Sequence, residues 1–393
     1  MYPDKLTLRY ESSCTGSFHL ILSMTPSSHI FSSSIAATLA IELVGLVGYF
    51  IRDNWRSNAL HPLLLLNKHW HKCIVATPLL FNSISITDNI SCRAISALLL
   101  LSQKVTITVL FSPCYIRNEH CARQAALIAT EAGRIIVVRL SCYEADMACV
   151  VFQEFAVVEW PILQLVQLSA KSSRFGWTTW DLDMLFEWIQ RASSTLSTLH
   201  VRGALGSHEP LTIIPPKFPS FDTFIHEGGQ YSHDWDVFCN TPHLASLFFY
   251  DLDPAITSPL INWLSSQSHL SLTTLIIHHQ LSESIQIAPH WTQLTIACPH
   301  IVDLRLSCAD DKLLKLLQSN LTIWPKLTHL VLLNSPVDLG PLTALVQSRH
   351  HTHSRILKVG LRVAPWVTVQ LVHLRKIVHV SMVDDFYYRY YSQ

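Results

Sequence analysis

Short runs in which apolar and polar residues alternate recur along most of this 393-residue chain, separated by stretches with helical spacing. The clearest copies begin at residues 160 (Trp-Pro-Ile-Leu-Gln-Leu-Val-Gln-Leu), 241 (Thr-Pro-His-Leu-Ala-Ser-Leu-Phe-Phe), 298 (Cys-Pro-His-Ile-Val-Asp-Leu-Arg-Leu) and 324 (Trp-Pro-Lys-Leu-Thr-His-Leu-Val-Leu). All share the form Pro-x-apolar-x-x-apolar-x-apolar, and looser copies start at Leu196, Leu272, Ile356 and Leu374. Two further alternating runs, 105–110 and 135–140, belong to the same series. Period-2 alternation is the mark of a short strand with one face buried. Between copies, Leu182, Met184, Leu185, Trp188 and Ile189, and later Leu313, Leu314, Leu316 and Leu317, fall at helical spacing.

One strand and one helix per unit, recurring at about 21–33 residues, brackets the leucine-rich-repeat period of about 20–29 residues. The expectation is an α/β fold: a curved solenoid of degenerate leucine-rich-repeat-like units with a parallel sheet. The alternative is a doubly wound open sheet, which also alternates strands and helices. Such a sheet would not repeat the Pro-led pattern, and it usually carries a Gly-rich first turn that this chain lacks.

Residues 39–81 have a different character. They read Leu-Ala-Ile-Glu-Leu-Val-Gly-Leu-Val-Gly-Tyr-Phe from Leu39, and the second half holds Leu65, Lys68, Trp70, His71 and Phe81. Leu39, Leu43, Leu46 and Phe50 lie at i, i+4, i+7 and i+11, one face of a helix. This segment resembles the F-box, and its last residues, from Ala76 to Phe81, look much like F-boxes of fungal proteins with leucine-rich repeats. Ala40 stands where that motif usually has Pro, and Asn67 where it has Cys. The resemblance implies a helical docking unit for a Skp adaptor, and through it a cullin–RING ubiquitin ligase. Leu39, Glu42, Leu43, Leu46, Phe50, Leu65, Lys68, Trp70, His71 and Phe81 would be the adaptor-binding residues. The bland counterpart is that the same residues only cap the solenoid. The organisation expected is a disordered leader (1–34), an F-box-like helical domain (35–86) and a repeat solenoid (87–393).

Composition narrows the function classes. Charged residues make up 14% of the chain, and 28 basic residues balance 28 acidic ones. Without a basic patch there is no electrostatic footprint for nucleic acid. Ten cysteines lie scattered with no C-x-x-C pair, the pattern of buried, reduced thiols and hence of a cytoplasmic or nuclear protein. The apolar stretch 35–51 is short for a membrane span and carries Glu42 at its middle, where a carboxylate is costly. A membrane-anchored repeat protein is therefore the third reading, behind a buried helix.

Motifs for catalysis are missing: there is no G-x-S-x-G, no Walker loop, no G-x-G-x-x-G and no H-E-x-x-H. His69, His71 and Cys73, and also His350, His351 and His353, are neighbours in sequence, but neither set has the second ligand pair that zinc needs. Gly203, Ser207, His208 and Glu209 are adjacent rather than assembled from separate elements, and read as a loop. No metal or cofactor is expected, and the chain is read as non-catalytic. Recruitment of a protein substrate would use polar residues displayed by the strands: Arg202, His226, Tyr250, His278, Asp303, Arg305, His329 and Lys358. Their mixed charge fits a protein surface better than a polyanion.

Overall fold

The computed structural model describes residues 68–382, except 88, 113–118, 143–145, 171–178, 193, 204–217, 229–242, 253–259, 261–263, 265–270, 280–290, 308, 310, 333–337, 351–354 and 362–367; before residue 68 it describes 10–12, 18–20 and Val44. The chain divides into two compact units, Met1–Leu80 and Phe81–Gln393.

In the first unit, β1 (Tyr10–Ser12) pairs antiparallel with β2 (Phe18–Leu20), within the leader expected to be disordered. Helix α1 (Lys68–Val75) buries Trp70, Cys73 and Ile74, and Thr77 Oγ donates to the Cys73 carbonyl at its end (2.8 Å).

The second unit is a twelve-stranded parallel sheet in which every strand pairs only with its neighbours in sequence. In order these are β3 (Ser83–Thr87), β4 (Ile107–Ser112), β5 (Ile135–Cys142), β6 (Leu165–Ala170), β7 (Thr198–Arg202) and β8 (Thr223–Glu227). They continue as β9 (Ser246–Leu252), β10 (Thr274–His279), β11 (Asp303–Leu306), β12 (His329–Leu332), β13 (Lys358–Leu361) and β14 (His379–Met382). A doubly wound sheet reverses its strand order at a switch point, and this one never does, so the architecture is solenoid-like. The connections carry α2 (Cys92–Leu101), α3 (Glu119–Ala129), α4 (Asp146–Phe155), α5 (Thr179–Arg191), α6 (Trp291–Ala297), α7 (Asp311–Ser319), α8 (Leu339–His350) and α9 (Thr368–Arg375). The sheet begins at Ser83, so the repeat region starts before residue 87, the boundary expected from sequence.

Register turns the sequence repeat into rows. One row runs through all twelve strands: Ile84, Val109, Val138, Val166, Leu199, Phe224, Leu247, Leu275, Leu304, Leu330, Val359 and Val380. Two residues on, a second row holds Ile86, Phe111, Leu140, Leu168, Val201, His226, Phe249, Ile277, Leu306, Leu332 and Leu361. The apolar members of both rows share one core with helix residues such as Ile95, Ile128, Phe152, Trp188, Leu294, Leu314 and Leu345. Each fully buried Leu, Ile or Phe in such a row contributes about 1.5–3 kcal/mol of transfer free energy. A tight aromatic group fills the core near β6, where Phe155 meets Trp160 edge-on at 4.8 Å and Trp188 at 5.1 Å.

From β6 to β13 a backbone seam ties each unit to the one before it. The Gln164 carbonyl accepts from the N–H groups of Ser197 and Thr198, both at 2.9 Å. The Ser197 carbonyl accepts from Asp222 and Thr223, and that of Asp222 from Ala245 and Ser246. The two-donor pattern continues through Ala245, Thr273, Val302 and Thr328, the last receiving Leu357 and Lys358. Hydroxyls of Ser197, Thr273 and Thr328 reinforce it by donating to the same carbonyls. Ser and Thr just ahead of the strands thus add side-chain donors to the backbone seam.

Two arginines, Arg134 partly buried and Arg349 fully buried, join consecutive helical segments. Arg134 donates to the Leu99 carbonyl (2.8 Å) and Ser102 Oγ (2.7 Å), closing the C-terminus of α2, where orphan carbonyls need partners. Arg349 of α8 is fully buried and donates to the carbonyls of Leu317, Ile323 (2.6 Å) and Trp324 (3.1 Å). Trp324 has φ +44°, a region that bulky residues avoid. Its indole N–H donates to the Cys298 carbonyl (2.7 Å), so both ends of the residue are fixed.

Candidate functional site: the open face of the sheet

Strand residues that alternate with the two inward rows form the other face of the sheet. Its central row is Ser85, Leu110, Arg139, Gln167, His200, Ile225, Phe248, Ile276, Arg305, Val331, Gly360 and Ser381. Seven of the eight residues expected to be displayed by the strands have this parity: Arg202, Tyr250, His278, Asp303, Arg305, His329 and Lys358.

His226 does not, and its placement is a correction. It occupies the inward row between Val201 and Phe249, fully buried, with its ring 6.2 Å from that of Phe249. Burial holds its imidazole down at about 4, against a hydrogen bond to the Gly203 backbone that favours the charged form. It is neutral at physiological pH and not presented to a partner.

Besides Arg139 and Gln167 on β5 and β6, polar residues of the open face form two clusters. At the C-terminal ends of β7 and β8, Glu227 is 1% exposed, with Oε1 3.1 Å from Arg202 Nε and Oε2 3.5 Å from His200 Nε2. The Arg202 side chain is 50% exposed, so a buried carboxylate holds a half-exposed guanidinium in place. Burying a carboxylate is costly unless it is paired. Next to this group Tyr250 stacks on Phe248 (6.3 Å) and lies 6.4 Å from His278. The second cluster lies on β11 to β14, where Asp303, His329, Lys358 and His379 are register neighbours. Arg305, two residues along from Asp303, donates to both its oxygens at 2.6–3.1 Å.

Sequence reading missed Glu227 and His200. The trace available was the pairing of His200-Val-Arg-Gly with Ile225-His-Glu-Gly, in which Arg202 comes opposite Glu227. Gly203 and Gly228 follow these strands at φ +125° and +123°. A Cβ on Gly228 would lie 3.1–3.3 Å from Gly203 backbone atoms. Gly228→Ala is expected to cost about 1–3 kcal/mol, while Gly133→Ala, with nothing within 4 Å, serves as the neutral comparison. Thermal unfolding of the two variants checks this, and equal midpoints would refute it.

Of the adaptor-binding residues expected from sequence, Leu39, Glu42, Leu43, Leu46, Phe50 and Leu65 lie outside the described residues. Lys68 and His71 are exposed on α1, whereas Trp70 and Phe81 are 5% and 4% exposed, so they act as core residues of the chain itself. Stretch 35–51 is described only at Val44, and among the described residues no helix is long and apolar enough to cross a membrane.

His69 Nε2 lies 3.5 Å from Cys73 Sγ, one turn along α1. Among the described residues no three His, Cys, Asp or Glu converge as metal ligands. His351 and His353, like Ser207, His208 and Glu209, lie outside the described residues. Of the six described cysteines five are buried, and burial pushes the Cys298 thiol up to about 12. No protein-family model matches the chain, and no curated protein matches its sequence.

Proposed function

We propose that the chain is a non-catalytic binding protein that holds a protein substrate on the open face of its sheet and docks through its N-terminal segment on a Skp adaptor, as the substrate receptor of a cullin–RING ubiquitin ligase. The observation that carries the binding role is the sheet itself. Twelve parallel strands in sequence order pack their two inward rows on the described helices, and the opposite face bears polar, aromatic and charged side chains of both signs. A receptor of this kind works by positioning: it keeps its cargo near a ubiquitin-loaded enzyme and raises effective concentration. The ligase part rests on the F-box resemblance of residues 39–81 and on the exposure of Lys68 and His71 at its rim.

The burial of Trp70 and Phe81 favours a second reading, in which the N-terminal helices only cap the repeats. Pull-down of a purified Skp adaptor by the full-length chain separates the two. The Lys68→Glu/His71→Glu double variant should lose capture at least tenfold with an unchanged thermal midpoint. Trp70→Ala with Leu43→Ala should abolish capture while the far-UV circular dichroism of the repeats persists. Undiminished capture by the folded charge variant, or none by the wild type, leaves the capping reading.

A further inference from the structure

The last four strands give the open face a local charge that the whole chain does not have. Formal charge over all 393 residues is zero. On β11 to β14, one row places Asp303, His329, Lys358 and His379 on adjacent strands, spaced by about 4.8 Å. The carboxylate in that row is spent within the strand, since Arg305 grips both its oxygens and the two side chains are 21% and 18% exposed. Among the described residues no carboxylate pairs with Lys358. The other described carboxylate of this face, Glu227, is likewise engaged by an arginine. Beside the row, Val331 and Gly360 are buried, so the polar row on β12 to β14, with His379 exposed and His329 and Lys358 half-buried, is what this part of the face presents.

We infer that this part of the face binds an acidic, extended segment of the protein partner, laid across β12 to β14 with its carboxylates against Lys358 and the two imidazoles. The inference rests on the reading of the open face as the binding surface and adds the chemistry of what it takes. Charge complementarity carries it: the acids on this face are already paired, whereas Lys358 is not.

The test is fluorescence anisotropy on the full chain, with labelled ten-residue peptides of alternating Glu and Thr or of alternating Lys and Thr. The Glu peptide should bind, weaken at least tenfold on Lys358→Glu, and weaken further as salt is raised. The Lys peptide should gain on that variant. Lys312→Glu, an exposed charge reversal on α7, should leave Glu-peptide binding within twofold. Equal binding of both peptides to the wild type, or an equal loss on Lys312→Glu, overturns the inference. A Glu peptide indifferent to Lys358→Glu but lost on Phe248→Asp overturns the charge assignment and keeps the open face as the surface. Indifference to both variants overturns the two together.

Discussion

Arg349→Ala is expected to destabilise the repeat unit by about 3–5 kcal/mol, the combined cost of the cavity left by a large buried side chain and of buried carbonyls left without a donor. Arg349 has no exposed surface, and its guanidinium satisfies the carbonyls of Leu317, Ile323 and Trp324. Burial pulls it down to about 10, so it is still charged at neutral pH and its four hydrogen bonds are charge-assisted. Truncation to Ala both opens a cavity and strands those carbonyls. Arg349→Met retains most of the volume and isolates the second effect, and it should recover less than half of the loss. Urea unfolding followed by circular dichroism measures this. A Met variant as stable as the wild type would mean that water replaces the guanidinium without penalty.

Acid sensitivity should come from His226. Its imidazole is held at about 4 in the folded chain by burial, against an ordinary value of 6.5. Between those two values the unfolded chain binds the proton and the folded chain does not. His226 therefore adds nothing to the pH dependence above about 6.5, and stability falls as the pH drops from there through about 4, by about 3 kcal/mol in total. The groups that bear on it are His200, which disfavours its protonation, and Glu227, which favours it. His226→Leu restores the apolar row between Val201 and Phe249 and should flatten the stability profile over that window. Parallel profiles for wild type and variant would place the acid sensitivity elsewhere.

The same residue explains one limit of sequence reading. Ten of the twelve strands overlap a run that alternation marks, because their inward positions carry Leu, Ile, Val or Phe. Strand β8 breaks the rule by placing His226 inward and burying Glu227 outward, so alternation alone neither found the strand nor gave its parity. Strand β3 escaped because Ser83-Ile-Ser-Ile-Thr lacks the Pro-Leu lead and adjoins helical sequence. In β14 the register slipped, since Leu374 and Arg375 belong to α9 and the strand starts only at His379. Strand β4 starts at Ile107 rather than residue 105 for a similar reason: Val105 N–H closes a turn onto the Ser102 carbonyl.

Site residues divide along the same line. Arg202, Asp303, Arg305, His329 and Lys358 were legible because parity along a strand is local. The Glu227 pairings with Arg202 and His200 were not, because the partners sit on neighbouring strands and only register brings them together. For residues 39–50 pattern remains the guide, since Leu39, Glu42, Leu43, Leu46 and Phe50 lie outside the described residues.

The carbonyl seam at the start of the strands has a consequence for how such a chain can change length. From β7 to β13 each unit is tied to its predecessor through one acceptor and two successive donors. A whole unit from the middle of the series could be duplicated or excised and the junction would still close, because the junctions from β6/β7 to β12/β13 use the same backbone geometry. A single residue inserted between the seam and the strand would instead throw the Leu positions out of phase. Growth by cassettes is tolerated where growth by single letters is not, and units of unequal length, such as those here, can coexist because the extra residues are absorbed away from the junction.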